Sequence, residues 1–260
     1  MAHRFAFLDA APPLAFAHRG GGPAGAENTI AAFTRAAKLG YRYLETDVRA
    51  TADGVAVVFH DAGLRRILDR PGRLAEVTWS DLRTVRVGGA TVVPRLADLL
   101  DALPEQRFNV DIKADDAVDP TIEAVWQAAA RDRVLLASFS DARIRWVRRV
   151  CGPRMATSLG QREVARLRLG SLHGRALSGF VPGVPAVQVP ARWPVRLGGV
   201  PVVDRRFVAH AHRLGMQVHV WTVNDIAEMH DLLDLGVDGI MTDHIEALRT
   251  VLTERGQWSL

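Results

Sequence analysis

Two short segments of this 260-residue chain set carboxylates and a cation at spacings that permit chemistry. In Glu45-Thr46-Asp47 the acids stand two apart at the end of an apolar run. On a strand such residues share a face, with Cα atoms about 7 Å apart, so both carboxylates can converge on one ion. Two like charges at the edge of an apolar core each lose solvation, so something positive belongs between them; the plain alternative is a pair of exposed strand-end acids. Asp111-Ile112-Lys113 repeats the alternation and brings a third carboxylate and an ammonium to one face. Three oxygen donors, with no cysteine or paired-histidine spacing, suit a hard divalent ion, magnesium or calcium, rather than zinc. Lysine occurs only at positions 38 and 113, so arginine supplies 31 of the 33 basic positions. Lys113 therefore suggests a compact ammonium placed for an oxyanion, against the alternative of an ordinary surface lysine.

Two histidines join this set. His18-Arg19 precedes the run Gly20-Gly21-Gly22, and His60-Asp61 follows the apolar Val57-Val58-Phe59. Imidazole exchanges protons near neutrality, so two at strand ends can serve as general acid and base, although a lone strand-end histidine is more often structural. Arg19 offers a planar fork of donors that matches a phosphate.

The elements that must position these groups alternate along the chain. Short β-branched runs are expected as strands at Leu14 to His18, Tyr43 to Asp47, Val55 to His60, Phe108 to Lys113, Val134 to Ser138, Arg154 to Ser158, Ala186 to Val189, Gln217 to Thr222 and Gly239 to Thr242. Amphipathic stretches separate most of them, the pattern of parallel strands with helical crossovers, in a closed barrel or a doubly wound sheet. An Asn28-Thr29 cap precedes Ile30, Phe33 and Ala37 on one helical face; Asp204 and Asp225 open two more helices. Between Asp47 and Val55 too few residues remain for a crossover, so that connection is irregular, an extended return or a turn at Asp53-Gly54. From Ser171 to Pro201, five glycines and five prolines predict a substrate-shaping loop able to cover one end of the fold.

Composition narrows the classes. Hydrophobic residues make up 48% of the chain, enough for a large core, and the length suits one domain spanning residues 1–260. The net charge of +4 is spread along the chain without a nucleic-acid motif, so no nucleic-acid partner is expected. Cys151 is the single cysteine, which excludes an intrachain disulfide and fits a buried residue at a helix end. Met1 to Pro13 carry no sustained apolar run, which predicts a cytoplasmic protein without stable membrane insertion. Oligomeric state leaves no trace in the sequence.

Taken together, His18-Arg19-Gly20, Glu27-Asn28-Thr29, Glu45-Thr46-Asp47-Val48, Val58-Phe59-His60-Asp61, Val110-Asp111-Ile112-Lys113, Ser138-Phe139, Trp221-Thr222-Val223-Asn224 and Asp238 to Asp243 fall in the order of one known family. Across residues 17 to 243 the chain resembles the glycerophosphodiester phosphodiesterases. The resemblance implies an α/β fold with a single TIM-type (β/α)8 barrel, one divalent metal (magnesium or calcium, with manganese as a further option), and hydrolysis of glycerophosphodiesters to sn-glycerol 3-phosphate and an alcohol. By the same resemblance Glu45, Asp47 and Asp111 are metal ligands, and His18 and His60 are the acid and base. Arg19 and Lys113 contact the phosphate, Glu27 enters the site, and Trp221 walls the glycerol pocket. Asn224 reads as a helix cap rather than a ligand, and Asp243 either supports the residues that meet the metal and substrate or caps the last helix, the cap being favoured. One departure is Asp111, where the family usually carries glutamate, so the metal must be drawn inward or met through water. Rival readings are a lysophospholipid-type phosphodiesterase on the same barrel and a catalytically impaired barrel that only binds anions.

Overall fold

The computed structural model describes residues 5–22, 26–87, 90–91, 93–174, 183–193 and 199–258. The apolar runs form strands buried on both faces, against helices outside and packed side chains within, which is why they read as continuous rather than alternating. They are β1 (Leu14–His18), β2 (Tyr43–Ala50), β3 (Ala56–Val58), β4 (Arg107–Ile112), β5 (Val134–Ala137), β6 (Ala156–Thr157), β7 (Ala186–Pro190), β8 (Gln217–Trp221) and β9 (Gly239–Thr242). Eight of them run parallel in the order β6-β5-β4-β2-β1-β9-β8-β7. A parallel bridge from Ser158 to Ala186 brings the two ends together, so the sheet is a nearly closed barrel, as expected.

Each of the eight strands leads to a helix: α1 (Ile30–Lys38), α2 (Leu96–Ala102), α3 (Val118–Gln127), α4 (Asp141–Cys151), α5 (Gln161–His173), α6 (Arg205–Arg213), α7 (Ile226–Leu235) and α8 (Ile245–Glu254). Side chains of Thr29, Ser140, Asp204 and Asp225 accept backbone N–H groups at the starts of α1, α4, α6 and α7, satisfying donors the helix itself cannot. Cys151 ends α4 half-buried, and burial pushes its thiol up to about 11.

The irregular connection is an extended return. β3 pairs antiparallel with β2, Val48 opposite Val58 and Ala50 opposite Ala56, so the ninth expected strand is not a barrel stave. Thr51 Oγ1 donates to Asp53 Oδ1 at 2.6 Å in the turn, and Gly54 adopts φ 76°. From β3 to α2 the chain packs on a small core of its own, including Val57, Phe59, Leu64, Leu74 and Leu82.

Opposite the C-terminal mouth, Phe5, Phe7 and Leu8 pack against Leu14, Tyr43, Ala156 and Ala186 at the strand starts and close that end. The glycine- and proline-rich span expected as a loop is interrupted: α5 continues to His173, and β7 lies inside it. Beyond β7, Arg192–Trp193 pairs antiparallel with Val200–Pro201. Residues 175–182 and 194–198 of that span lie outside the described residues.

Candidate active site

All the singled-out residues gather at the C-terminal ends of the strands, where barrel sites form. A cavity of about 670 Å³ opens there, lined by His18, Arg19, Glu45, His60, Asp111 and Lys113 on one side and by Trp221 on another. Register explains the convergence. Glu45 pairs with His18 across β1–β2, and Asp47 pairs with Asp111 across β2–β4.

None of the three acids is the exposed strand-end residue of the plain alternative: Glu45, Asp47 and Asp111 are 5%, 1% and 7% exposed. Lys113 Nζ bridges two of them, 2.8 Å from Asp47 Oδ1 and 2.6 Å from Asp111 Oδ2. Burial disfavours that ammonium, but Asp111 and Asp47 outweigh it and raise its pKa. The same burial opposes the Asp47 carboxylate, and Lys113 and Arg19 more than offset it, so Asp47 stays below the usual carboxylate range. Glu45 is less well compensated. Burial, then the Asp47 charge, push its carboxyl up to about 7 despite His18, Lys113 and Arg19 nearby.

The turn after β1 is built for these acids. Arg19 sits at φ 51° and Gly20 and Gly21 at 82° and 63°, the left-handed region. A Cβ at Gly20 would lie 2.9 Å from Ala32 Cβ, so glycine is required where the turn presses on α1. This strained path aims the Arg19 N–H at Glu45 Oε2 (3.1 Å) and brings Arg19 Nε 2.9 Å from Asp47 Oδ2. Asn28, expected to share a helix cap with Thr29, instead donates from Nδ2 to Asp47 Oδ2 (3.0 Å) and accepts from Thr46 Oγ1 (2.9 Å). Thr29 alone caps α1.

Each histidine is held through Nδ1 by a carboxylate. His18 Nδ1 lies 2.7 Å from Asp243 Oδ1, with Nε2 turned toward Glu45 Oε2 at 3.7 Å. Burial lowers its pKa, but Glu45 and Asp243 outweigh it and the net effect is a raised value. His60 Nδ1 lies 2.6 Å from Asp61 Oδ1. Asp243 is therefore not the cap of α8, which opens on His244 without a side-chain cap. Nor does Asn224 cap α7; it donates from Nδ2 to Asp243 Oδ2 (3.0 Å) and accepts the Asp243 N–H (2.9 Å), locking the carboxylate behind His18.

Arg66 was invisible among the many arginines. Its guanidinium grips Asp61 through Nε and Nη2 (2.7 and 2.9 Å) and Glu27 through Nη1 and Nη2 (2.8 and 2.7 Å). Glu27 also accepts from Arg19 Nη1 at 3.0 Å. Its contacts are thus with guanidinium groups, and an unbroken chain of side chains runs Arg19, Glu27, Arg66, Asp61, His60. A second unread feature floors the cavity. Gln188 Nε2 donates to Asn109 Oδ1 (2.9 Å) and faces His219 Nδ1 (3.3 Å), while His219 Nε2 meets Gln217 Oε1 (3.0 Å). Only a neutral ring with its proton on Nε2 satisfies both neighbours, and burial pushes the His219 pKa down to about 3.

Among the described residues no three acids, imidazoles or thiols converge closely enough to hold an ion. The donor set nonetheless fits a hard divalent cation. Asp111 Oδ1 is buried with no hydrogen-bond partner among the described residues, and Glu45 is a buried carboxyl short of positive charge. Such unmet demand at oxygen donors is what a divalent ion satisfies.

The chain is similar to known proteins over most of its length. The family model for the Glycerophosphoryl diester phosphodiesterase family matches residues 18–247. A Mycobacterium tuberculosis protein named probable glycerophosphodiester phosphodiesterase 2 is 44% identical over 233 residues, covering 89% of this chain and 87% of that protein. A human lysophospholipase D is 27% identical over 270 residues, covering 90% of this chain and 84% of its own. Among solved structures, an Oleispira antarctica phosphodiesterase in complex with the product sn-glycerol-3-phosphate superposes with a TM-score of 0.74 at 20% identity, covering 93% of this chain and 97% of that one.

Proposed function

The chain belongs to the glycerophosphoryl diester phosphodiesterase family, and on that premise we propose that it hydrolyses glycerophosphodiesters to sn-glycerol 3-phosphate and an alcohol by metal-dependent acid–base catalysis. The observation that carries the reading is the pair of imidazoles at one barrel mouth, each braced through Nδ1 by a carboxylate, beside Arg19, Lys113 and three buried acids.

Asp243 and Asp61 accept at Nδ1, so the Nε2 atoms of His18 and His60 are left to exchange protons with substrate. One imidazole takes a proton from the attacking hydroxyl; the other protonates the departing alkoxide. Arg19 and Lys113 offset the negative charge that grows on the phosphoryl oxygens. Glu27 and Arg66 hold Arg19 and Asp61 in register, and Trp221 walls the substrate's carbon skeleton. Glu45, Asp47 and Asp111 would hold the divalent ion, magnesium, calcium or manganese, which when bound supplies electrophilic polarisation of the phosphoryl group.

A second reading, hydrolysis of lysophospholipids on the same barrel, draws on the apolar walls Leu159, Val164 and Phe139 and on the human relative. Among the described residues no helix is long and apolar enough to cross a membrane. The deciding assay strips the purified protein of metal, supplies glycerophosphodiesters or lysophosphatidylcholine, and restores magnesium, calcium or manganese in turn. Metal-dependent release of glycerol 3-phosphate is expected. Release of lysophosphatidic acid instead would favour the second reading, and binding without any turnover would leave an anion-binding barrel.

A further inference from the structure

The net charge of +4, expected to be spread along the chain, is concentrated on one side of the barrel. Residues 141–213 carry fourteen arginines against Asp141, Glu163 and Asp204, a net of +11, and the remainder of the chain nets −7. All three of those carboxylates are already engaged. Asp141 accepts the Arg162 and Glu163 N–H groups, Glu163 pairs with Arg148 at 2.8 Å, and Asp204 pairs with Arg168 at 2.8 Å. Arg145 and Arg149 on α4, Arg162 and Arg166 on α5, and Arg205 and Arg206 at the start of α6 are exposed, and no carboxylate pairs with any of them among the described residues. Because α5 packs against both α4 and α6, the six share one outer face.

Like charges four apart on a helix repel, so Arg145 with Arg149 and Arg162 with Arg166 are held at a cost to the fold. The same face presents apolar side chains to water: Trp146, Val150, Leu169 and Leu172 are each 45–52% exposed. The Trp146 ring is fixed on the surface, its Nε1 donating to Asp119 Oδ1 at 3.0 Å and the Arg149 guanidinium lying 5.7 Å from its centroid. On α3, Trp126 repeats the arrangement with Arg131 at 6.0 Å. Asp119 and Glu123 of that helix are exposed and mark the edge of the cationic area.

Guanidinium groups interleaved with tryptophan and leucine match the two layers of an anionic lipid interface, with forks for headgroup phosphates and apolar side chains for the acyl boundary. A second copy docked by the same face about a two-fold axis would set arginine against arginine. Duplex nucleic acid would meet the arginines but set Leu169 and Leu172 against a polar backbone.

We propose that the exposed faces of α4, α5 and the start of α6 dock the protein reversibly on an anionic phospholipid bilayer, with no helix crossing it. The inference stands apart from the catalytic reading, since none of the six arginines lines the cavity.

The test is co-sedimentation of the full chain with vesicles of phosphatidylglycerol and phosphatidylcholine in equal parts, and with vesicles of phosphatidylcholine alone. Each arginine near an anionic surface is worth about a fivefold change in partitioning. Binding at least about a hundredfold tighter to the anionic vesicles is expected, falling as salt is raised. Arg145→Gln, Arg149→Gln, Arg162→Gln and Arg166→Gln combined should weaken it about a hundredfold or more with the thermal melt in place, and Leu169→Ser with Leu172→Ser about tenfold. No binding, equal binding to both vesicles, or an undiminished preference in the arginine variant overturns the proposal. So does tighter binding to duplex DNA than to vesicles at equal phosphate concentration, or a dimer in sedimentation velocity that the leucine variant dissolves; these give the face to nucleic acid or to a second copy. Should the variants not fold, the native chain's preference and its salt dependence decide.

Discussion

Replacing Glu45 by glutamine removes one buried charge while keeping the side chain's volume, so it isolates what that charge costs the fold. Burial and then Asp47 push this carboxyl from an ordinary 4.5 to about 7, and His18, Lys113 and Arg19 offset only part of the effect. An acid whose pKa folding raises binds its proton more tightly in the native chain. Its contribution to stability is complete below 4.5 and is lost as pH rises from there through about 7. That interval corresponds to roughly 3 kcal/mol. His18 adds a decline of the same sign: despite burial, Glu45 and Asp243 raise its pKa, so its stabilisation is full below 6.5 and lost as pH climbs through the raised value. Metal-stripped native protein should therefore weaken between about pH 5 and about pH 8, and Glu45→Gln should remove most of that slope. At the upper pH the variant gains about 2–3 kcal/mol, since its amide oxygen can still accept from the Arg19 N–H; for a chain of this size that is a Tm higher by about 5–10 °C. Denaturant titrations in chelator at both pH values provide the measurement. Added magnesium should then stabilise the native protein and not the variant. A variant less stable than the native chain at high pH, or one with an equal pH slope, would refute the assignment of a strained, charge-starved carboxyl.

Four further outcomes follow from the same geometry. His18→Ala and His60→Ala should each depress kcat by about 10²–10⁴ with Tm little changed; full turnover in either would remove that imidazole from the reaction. Arg66→Lys loses both bidentate grips, on Asp61 and Glu27, and should lower kcat about tenfold or more with KM less affected, read from steady-state kinetics. Asp111→Ala should weaken manganese binding at least about tenfold by calorimetry, a readout independent of turnover. Gly20→Ala adds a methyl 2.9 Å from Ala32 Cβ at a φ of +82° and should cost about 1–3 kcal/mol in thermal unfolding.

What could be read before folding was whatever a single element carries. Glu45 and Asp47, or Asp111 and Lys113, share a face by the period of two alone, and barrel strands buried on both sides announce themselves as apolar runs. Strand direction is another matter. The period is the same for parallel and antiparallel pairing, so β3 entered the count of strands, and only the short Asp47–Val55 link showed that a helix could not separate it from β2. Asn224 and Asp243 mislead for a local reason. Asn and Asp before a helical pattern have the composition of caps, whereas Asp243 is claimed by His18, 225 residues away in the chain. Arg66 had no distinguishing spacing among thirty-one arginines, and His219 reads as one more strand residue until Gln188 and Gln217 fix its proton. The groups that would touch substrate come in pairs along one strand and are legible. Those that aim them, Asp243 on His18 and Arg66 through Asp61 on His60, act between segments that only barrel closure brings together. Substitution at Arg66 should accordingly damage turnover while leaving every sequence motif intact.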